Sequence, residues 1–391
     1  FRLRDREIVS DVTSAAALTA RPHVLLVILD TVRADALDLT SIEGSSTPNL
    51  ARLAARGTTF QRAWSTAPWT LPSTAGMLTG RLPHELSADW LAALDDRHAT
   101  LPDVLAKRGW DTAGFVANLR YCSLETGLAR GFEHFEGYRF TWCDFVESTA
   151  LGRALLLGNL PVRAGWLDWP GRKRGGEITD GFLDWVDDRD GAPFCATLNY
   201  WDAHDPYVAP EAVRKHWPED AGQQRMLRNW WWVEKTPVTS EHISLLRGTY
   251  DDCVRGLDDE IGRLVAGLES RGLLENTVLV ITSDHGEHFG EHALFLHGNS
   301  LYEPLLHVPL IVVGEGRVPT GKRIAEPVSL AGLANTVFEL AGADAEFPGG
   351  SWTRYWRPQA DGAAPAVKLL HDDPLYAELA AQPGFPPCHG R

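Results

Sequence analysis

His23-Val-Leu-Leu-Val-Ile-Leu-Asp30 is a continuous apolar run that ends in a carboxylate. A strand buried on both faces of a parallel sheet has this composition, because none of its side chains faces water. Two later runs have the same apolar character: Thr277-Val-Leu-Val-Ile-Thr-Ser-Asp284, and His307-Val-Pro-Leu-Ile-Val-Val313. Helix-like segments alternate with such runs along the chain. The pattern predicts an α/β fold with a mainly parallel sheet sandwiched by helices.

The length of 391 residues fits one large α/β domain with an appendage, or two domains. We expect an N-terminal arm over residues 1–21, a main domain over 22–341 and a short C-terminal segment over 342–391. Two irregular stretches, 138–176 and 211–240, interrupt the alternation, and we interpret them as insertions that shape a pocket. The sequence begins at Phe1 rather than Met, so we expect a processed or trimmed start.

The chain is acidic, with 52 Asp and Glu residues against 37 Lys and Arg residues and a formal net charge of −15. A surface of this sign repels nucleic acid and anionic lipid, so neither is expected as a partner. No apolar run approaches the roughly 18 residues that cross a membrane. The composition leaves the cellular location open. If the substrate is an anion, a bound cation would have to reverse the field locally.

Acidic side chains close two of the predicted buried strands, at Asp30 and Asp284, and His285 follows the second. Either aspartate alone would suit a turn. Together with the imidazole, however, they supply the oxygen and nitrogen ligands of a divalent cation. Thr70 stands at a predicted helix start before Pro72. It could cap the helix, or its hydroxyl could serve as a nucleophile that a cation activates beside the positive helix end.

Several stretches resemble motifs of the sulfatase branch of the alkaline phosphatase superfamily, in the family's order between about residues 22 and 341. They are Val24 to Asp30 with Thr31-Val-Arg-Ala-Asp35, Thr47-Pro-Asn-Leu, Ala67-Pro-Trp-Thr-Leu-Pro-Ser-Thr-Ala-Gly-Met-Leu-Thr-Gly80, Asp202-Ala-His-Asp-Pro-Tyr207, Ser283-Asp-His-Gly-Glu287, His297-Gly-Asn-Ser-Leu-Tyr-Glu303 and Pro327-Val-Ser-Leu330. The resemblance implies an alkaline phosphatase-like fold. Since members usually carry a further C-terminal domain and only about 50 residues remain here, we expect that appendage to be reduced.

The resemblance also implies a role for each matching residue. The expected metal ligands are Asp30, Thr70, Asp284 and His285; the expected catalytic residues are Thr70, His204 and His297; and the expected substrate-binding residues are Asn118, His204 and His297. The cofactor would be one divalent cation, with zinc or manganese preferred because of the histidine, and calcium or magnesium as alternatives. The partner would be a small anionic ester. We expect His288 and His292 to lie behind the ligands or on the surface.

The sequence also departs from the family at three positions. True sulfatases resemble one another in a Cys or Ser that is converted to formylglycine, with an Arg shortly after it. Here Thr70 cannot become that aldehyde, Thr74 replaces the Arg, and Thr31 stands where a second acidic ligand often follows. None of the five cysteines lies near Thr70 in sequence; they are Cys122, Cys143, Cys195, Cys253 and Cys388. Their scattered positions suit buried thiols rather than a disulfide framework.

These departures favour the relatives that handle phosphoryl groups. We expect a metal-dependent hydrolase or transferase of phosphate monoesters, diesters or phosphonates, with Thr70 as nucleophile. Two alternatives stay open: a sulfate-ester hydrolase without formylglycine, and a catalytically silent member that binds anions.

Overall fold

The structure is a computed structural model that describes residues 21–137, 149–152, 168, 172–229, 238–343, 347–356 and 376–379. The strands of these residues are β1 (His23–Leu29), β2 (Thr58–Trp64), β3 (Asp111–Val116), β4 (His134–Glu136), β5 (Phe194–Tyr200), β6 (Thr277–Thr282), β7 (His288–Phe289), β8 (Phe295–Leu296), β9 (His307–Val308), β10 (Leu310–Val313) and β11 (Lys322–Ser329). The α-helices are α1 (Pro48–Arg56), α2 (Thr70–Thr79), α3 (Leu101–Lys107), α4 (Gly175–Asp187), α5 (Ala221–Asn229), α6 (Ser240–Ser270), α7 (Glu303–Leu306) and α8 (Leu333–Leu340). Short 3-10 turns lie at Ala34–Ala36, Pro83–Glu85, Glu211–Val213, Leu274–Asn276, Glu291–Ala293, Leu330–Gly332 and Trp352–Tyr355.

One large sheet runs through the described chain in the order β11-β2-β10-β6-β1-β5-β3-β4, with β9 paired to β2. The apolar run before Asp30 is β1, which lies between β5 and β6 and pairs with both in parallel. The pairs β3–β5, β3–β4 and β11–β2 are parallel as well. The α/β class and the mainly parallel sheet are therefore confirmed. β7 and β8 form a separate small ribbon.

β1 contributes side chains to two hydrophobic cores, because its successive side chains point to opposite sides of the sheet. Val24, Leu26 and Ile28 pack on the face that α2, α3 and α8 cover. Leu25, Val27 and Leu29 pack on the other face, against α1, α4 and α6. Both faces are dry, which accounts for the unbroken apolar sequence of the strand.

The third apolar run differs from the expectation of one continuous strand. It is divided at Pro309 into β9 and β10, and β10 runs antiparallel to both β6 and β2. A proline cannot donate a backbone hydrogen bond, so it interrupts the ladder at that point. Apolar composition reports burial but not strand direction, and the sequence pattern therefore missed the reversal.

The two expected insertions are described unequally. Most of 138–176 lies outside the described residues, although α4 begins at Gly175. The stretch 211–240 contains one short 3-10 turn and α5, while its residues 230–237 are outside the description.

The expected arm and C-terminal segment are described in part. Of the arm, 1–20 lies outside the described residues. Parts of the C-terminal segment return to the main domain: Trp352 is buried in the core, and the backbone N–H of Glu378 donates to the carbonyl of Thr66. None of the helices in the described ranges is long and apolar enough to cross a membrane.

Candidate active site

Three ionisable side chains meet at the carboxyl ends of β1 and β6. The parallel register pairs Ile28 with Thr282, and continuing it by two residues brings Asp30 level with Asp284. The Nε2 atom of His285 lies 3.9 Å from Oδ1 of Asp30 and 3.5 Å from Oδ2 of Asp284. One ligand atom from each of the three side chains falls within 4.8 Å of the others. The structure thus brings Asp30 together with Asp284 and His285, which lie more than 250 positions later in the sequence.

The donor atoms of this triad fit a divalent cation. Oδ1 of Asp30 and Oδ2 of Asp284 are buried and have no hydrogen-bond partner. The Nδ1 atom of His285 is hydrogen-bonded to the carbonyl of Gly286 at 2.9 Å, so Nε2 keeps its lone pair for a ligand. Buried acceptors without a partner are costly, and a cation among them would offset that cost.

The charges of the triad support the same interpretation. Burial raises the pKa of Asp30, and the neighbouring charge of Asp284 raises it further. Burial raises the pKa of Asp284 to about 6 and lowers the pKa of His285 to about 3. Each shift disfavours the charged form in a dry site, and a divalent cation would favour ionised carboxylates and a neutral imidazole instead.

Neighbouring residues hold the segment Asp284–His285 in place by hydrogen bonds. The hydroxyl of Ser73 in α2 donates to the carbonyl of Asp284 at 2.6 Å. The backbone N–H groups of Thr31 and His285 donate to Oδ1 of Asp284 at 3.3 and 2.9 Å, which leaves Oδ2 directed elsewhere. Thr31 has a left-handed backbone with φ of 63°, a conformation that is strained for a β-branched residue. The strain accompanies a turn that points this N–H at the carboxylate.

Thr70 is the first residue of α2. The N-cap position is therefore occupied by Trp69 and not by Thr70. Its Oγ1 atom lies instead 3.2 Å from Nε2 of His285, next to the triad. The first turn of α2 directs free backbone N–H groups and a positive dipole end to the same place, which favours an anion there.

Asn118 follows β3 and joins the nucleophile candidate to a ligand candidate. Its Nδ2 atom donates to Oδ2 of Asp30 at 2.8 Å and to Oγ1 of Thr70 at 3.4 Å, while its Oδ1 accepts from the backbone N–H of Tyr121 at 3.1 Å. Because these contacts use both ends of the amide, its geometry suits orienting Asp30 and Thr70. A contact with substrate stays a prediction.

His204 and His297 lie side by side next to the triad. Their ring centroids are 5.0 Å apart, and the ring of His297 is 4.4 Å from that of His285. Nδ1 of His204 contacts the carboxylate of Asp205 at 2.8 Å, and Nδ1 of His297 contacts Glu287 at 3.0 Å. Both Nδ1 atoms are thus occupied by carboxylates. Among the described residues, neither Nε2 atom has a hydrogen-bond partner, so both can meet a ligand.

The two histidines differ in charge preference. Burial alone would lower the pKa of His204, but the adjacent carboxylate of Asp205 outweighs it and raises the value to about 9. For His297, burial and the positive charge of His204 lower the pKa to about 4. The arrangement therefore presents one cationic and one neutral imidazole near the triad.

Glu287 ends the motif Ser283-Asp-His-Gly-Glu287, but the sequence pattern predicted no role for it. It is fully buried, accepts from the Tyr207 hydroxyl at 3.1 Å and contacts Nδ1 of His297 at 3.0 Å. Burial raises the pKa of this carboxyl group to about 8. Its place two residues after His285 was a usable signal, since a carboxylate commonly supports a functional histidine.

Other residues singled out from the sequence lie as follows. His288 is buried and bonded to Ser300, and His292 stacks on Tyr302; both are outside the triad, as expected. Although no cysteine is near Thr70 in sequence, one of them lies near the triad in space. Cys122 is buried, and beyond that burial the charges of Asp30 and Asp284 are close enough to raise the pKa of its thiol. Sequence distance is a poor guide here, because β3 and β1 are brought together only by the sheet.

The fold and this site define a class: the alkaline phosphatase superfamily, whose sulfatase branch acts on sulfuric or phosphoric esters. The family model described as Sulfatase matches residues 22–343, so the chain belongs to the sulfatase family. A sulfatase of Formosa agariphila is 26% identical over 83% of this chain and 70% of its own length. Arylsulfatase K of Bos taurus is 27% identical over 82% of this chain, which spans 63% of that protein. A choline-sulfatase of Rhizobium meliloti is 25% identical, over 94% and 76% of the two chains.

Solved structures share the fold. The phosphonate monoester hydrolase of Agrobacterium radiobacter aligns with a TM-score of 0.65 and 21% identity, covering 87% of this chain and 78% of that one. A protein solved with its substrate D-glucosamine-2-N,6-O-disulfate aligns with a TM-score of 0.62 and 19% identity, covering 84% and 78%. The known relatives thus include proteins named for sulfate esters and for phosphonate esters.

Proposed function

We propose that this chain is a metal-dependent hydrolase or transferase of phosphate-type esters, with the hydroxyl of Thr70 as its nucleophile. One observation carries the proposal: Oγ1 of Thr70 lies 3.2 Å from Nε2 of His285, beside two buried carboxylate oxygens that have no partner. A hydroxyl at that position can attack an ester directly, and it needs no conversion to an aldehyde.

Asp30, Asp284 and His285 would hold the cation, for which zinc or manganese is preferred and calcium or magnesium is an alternative. When bound, the cation lowers the pKa of the adjacent hydroxyl and offsets the negative charge that develops on the ester oxygens. Asn118 donates a hydrogen bond to Oδ2 of Asp30 at 2.8 Å, which leaves Oδ1, 3.9 Å from Nε2 of His285, as the atom for the cation. This positions the ligand atom in the apo chain.

The chain's own groups suit an in-line displacement on phosphorus. The Thr70 oxygen forms a bond to phosphorus while the bond from phosphorus to the ester oxygen breaks. His204 and His297 would bind the equatorial oxygens or give the leaving oxygen a proton. Water or an acceptor alcohol then attacks the phospho-threonine, and the Thr70 oxygen departs and regains a proton.

The test compares Thr70→Ala and Thr70→Ser with the wild type on phosphomonoesters, phosphodiesters, phosphonate monoesters and sulfate esters. We expect Thr70→Ala to fold, retain metal through the other three ligands and lose nearly all turnover, whereas Thr70→Ser keeps measurable activity. Thr79→Ala is the matched control, since it removes a buried threonine of the same helix whose hydroxyl binds only the carbonyl of Ala75. Full turnover in a folded Thr70→Ala protein would overturn the covalent mechanism.

A sulfate-ester hydrolase is the second candidate, and the names of the relatives favour it. The same panel distinguishes the two candidates by the anion released. A wild-type protein that binds no metal and turns over none of the esters would instead support a silent, anion-binding role.

A further inference from the structure

A buried guanidinium holds the loop that carries His204. The side chain of Arg172 is only 1% exposed. It donates to the carbonyl of Pro206 at 2.8 Å, to the carbonyl of His204 at 2.7 Å, and also to the carbonyl of Trp201. The guanidinium carbon stands 4.8 Å from the centre of the Trp201 ring. One side chain therefore contacts this loop, residues 201–206, at its start, middle and end.

The chemistry of these contacts explains why an arginine suits the position. The loop follows the end of β5, where the carbonyls of Trp201 and Pro206 each accept one backbone N–H, from His204 at 3.3 Å and from Val208 at 2.8 Å, and can accept a second donor. A planar guanidinium has five N–H donors in a fixed fork and can serve several carbonyls at once. A lysine could carry the charge, but its single ammonium cannot span the same set.

The direction of the His204 ring depends on this loop. Its Nδ1 atom is tied to Asp205, the next residue, by contacts of 2.8 Å to the carboxylate and 3.0 Å to the carbonyl. The ring also lies 4.8 Å from the Trp201 ring that the guanidinium covers. Both restraints on the ring are therefore parts of the loop that Arg172 holds. The contacts of Arg172 described above lie on the loop and not on the triad, so it acts on the site through His204.

We propose that Arg172 is a positioning residue for His204: by binding three carbonyls of loop 201–206 and stacking on Trp201, it directs Nε2 of His204 towards the ester site. The catalytic consequence rests on the proposed function, in which His204 contacts the ester. The orientation of the His204 ring does not rest on the proposed function, because it is a property of the chain without metal or substrate.

Arg189 offers a matched control. It is also buried, at 7% side-chain exposure; it contacts a carboxylate, Asp111, at 2.9 Å, and it donates to a carbonyl, that of Ala192. Its guanidinium covers the rings of Trp185 and Phe194 at 4.7 and 5.1 Å. These contacts lie at the opposite end of β5, away from His204. Arg172 likewise contacts a carboxylate, Asp168, at 3.2 Å, so substitution at either arginine removes an ion pair, carbonyl contacts and ring contacts. Only the loop bound by Arg172 carries a histidine of the site.

The experiment uses Arg172→Lys and Arg172→Met beside Arg189→Lys and Arg189→Met in the full chain. The first measurement is the imidazole nitrogen NMR signal of His204 in metal-free protein with isotope-labelled histidine, assigned with His204→Gln. We expect both Arg172 variants to shift or broaden this signal, and both Arg189 variants to leave it unchanged while lowering the melting temperature. The second measurement is turnover, where we expect kcat to fall about tenfold to a hundredfold in the Arg172 variants only.

The outcomes separate the two proposals. An unchanged His204 signal in a folded Arg172→Met protein, or an equal change in the Arg189 variants, would overturn the role of Arg172. If Arg172→Met does not fold, the same criterion applies to Arg172→Lys. If no ester reacts even in the wild type, the proposed function fails, while the NMR comparison still decides whether Arg172 orients His204.

Discussion

The substitution Asp284→Asn should have opposite effects on the metal-free and the metal-loaded protein. Burial raises the pKa of Asp284 from 3.8 to about 6 in the metal-free chain. A carboxyl group with a raised pKa destabilises the fold once the unfolded chain can ionise and the folded chain resists it. This loss of stability is absent below the pKa of Asp284 in the unfolded chain. It grows between the unfolded and the folded pKa and is complete above the folded pKa. Since a pKa change of one corresponds to about 1.4 kcal/mol, the rise from 3.8 to about 6 lowers the free energy of unfolding by roughly 3 kcal/mol.

Asparagine retains the acceptor for the N–H groups of Thr31 and His285, and it also removes the like charge beside Asp30. In the presence of a chelator at about pH 8, we therefore expect Asp284→Asn to raise the free energy of unfolding by up to about 3 kcal/mol. Near pH 4, just above the unfolded pKa of 3.8, most of this gain should be lost. With metal, the order reverses, because the variant lacks a charge that offsets the cation and should lose metal affinity and turnover together.

The assay is denaturant unfolding of both proteins at the two pH values, with and without metal, together with metal analysis. Asp103→Asn serves as the control with the opposite sign. Burial would raise the pKa of Asp103, but the Thr100 amide and Arg130 lower it overall, so this variant should lose stability as the pH rises. The reasoning would be refuted if Asp284→Asn destabilised the metal-free protein equally at both pH values, or left metal content and turnover unchanged.

Two further substitutions test the scaffold of the site. Asn118→Ala removes the donor to Oδ2 of Asp30, and we expect titration to show metal affinity about tenfold to a hundredfold weaker with the fold retained; unchanged affinity would contradict the orienting role. Gly286→Ala would place a Cβ atom 2.0 Å from the carbonyl oxygen of Pro304, so thermal melts should show a loss above about 3 kcal/mol. Its control, Gly176→Ala, meets nothing closer than 3.6 Å and should be tolerated.

The central strands and the triad could be predicted from the sequence because both depend on local patterns. An apolar run such as Val24 to Leu29 reports that both of its faces are dry, whichever elements cover them. The carboxylates that close such runs must lie at one edge of a parallel sheet, so Asp30 and Asp284 could be placed together before any contact was known. The motifs around His204, His285 and His297 added the expectation that these histidines face the same region.

Only the tertiary structure decided the direction of β10 and the contacts between segments that are remote in sequence. Strand direction depends on the path of the connecting chain, which apolar composition does not encode. Packing of separate segments brings Cys122 near Asp30 and Asp284, Asn118 into contact with Asp30 and Thr70, and Arg172 into contact with the His204 loop. Each is a single side chain without a periodic pattern, so its partners were determined when the sheet and helices enclosed it, and not by its neighbours along the chain.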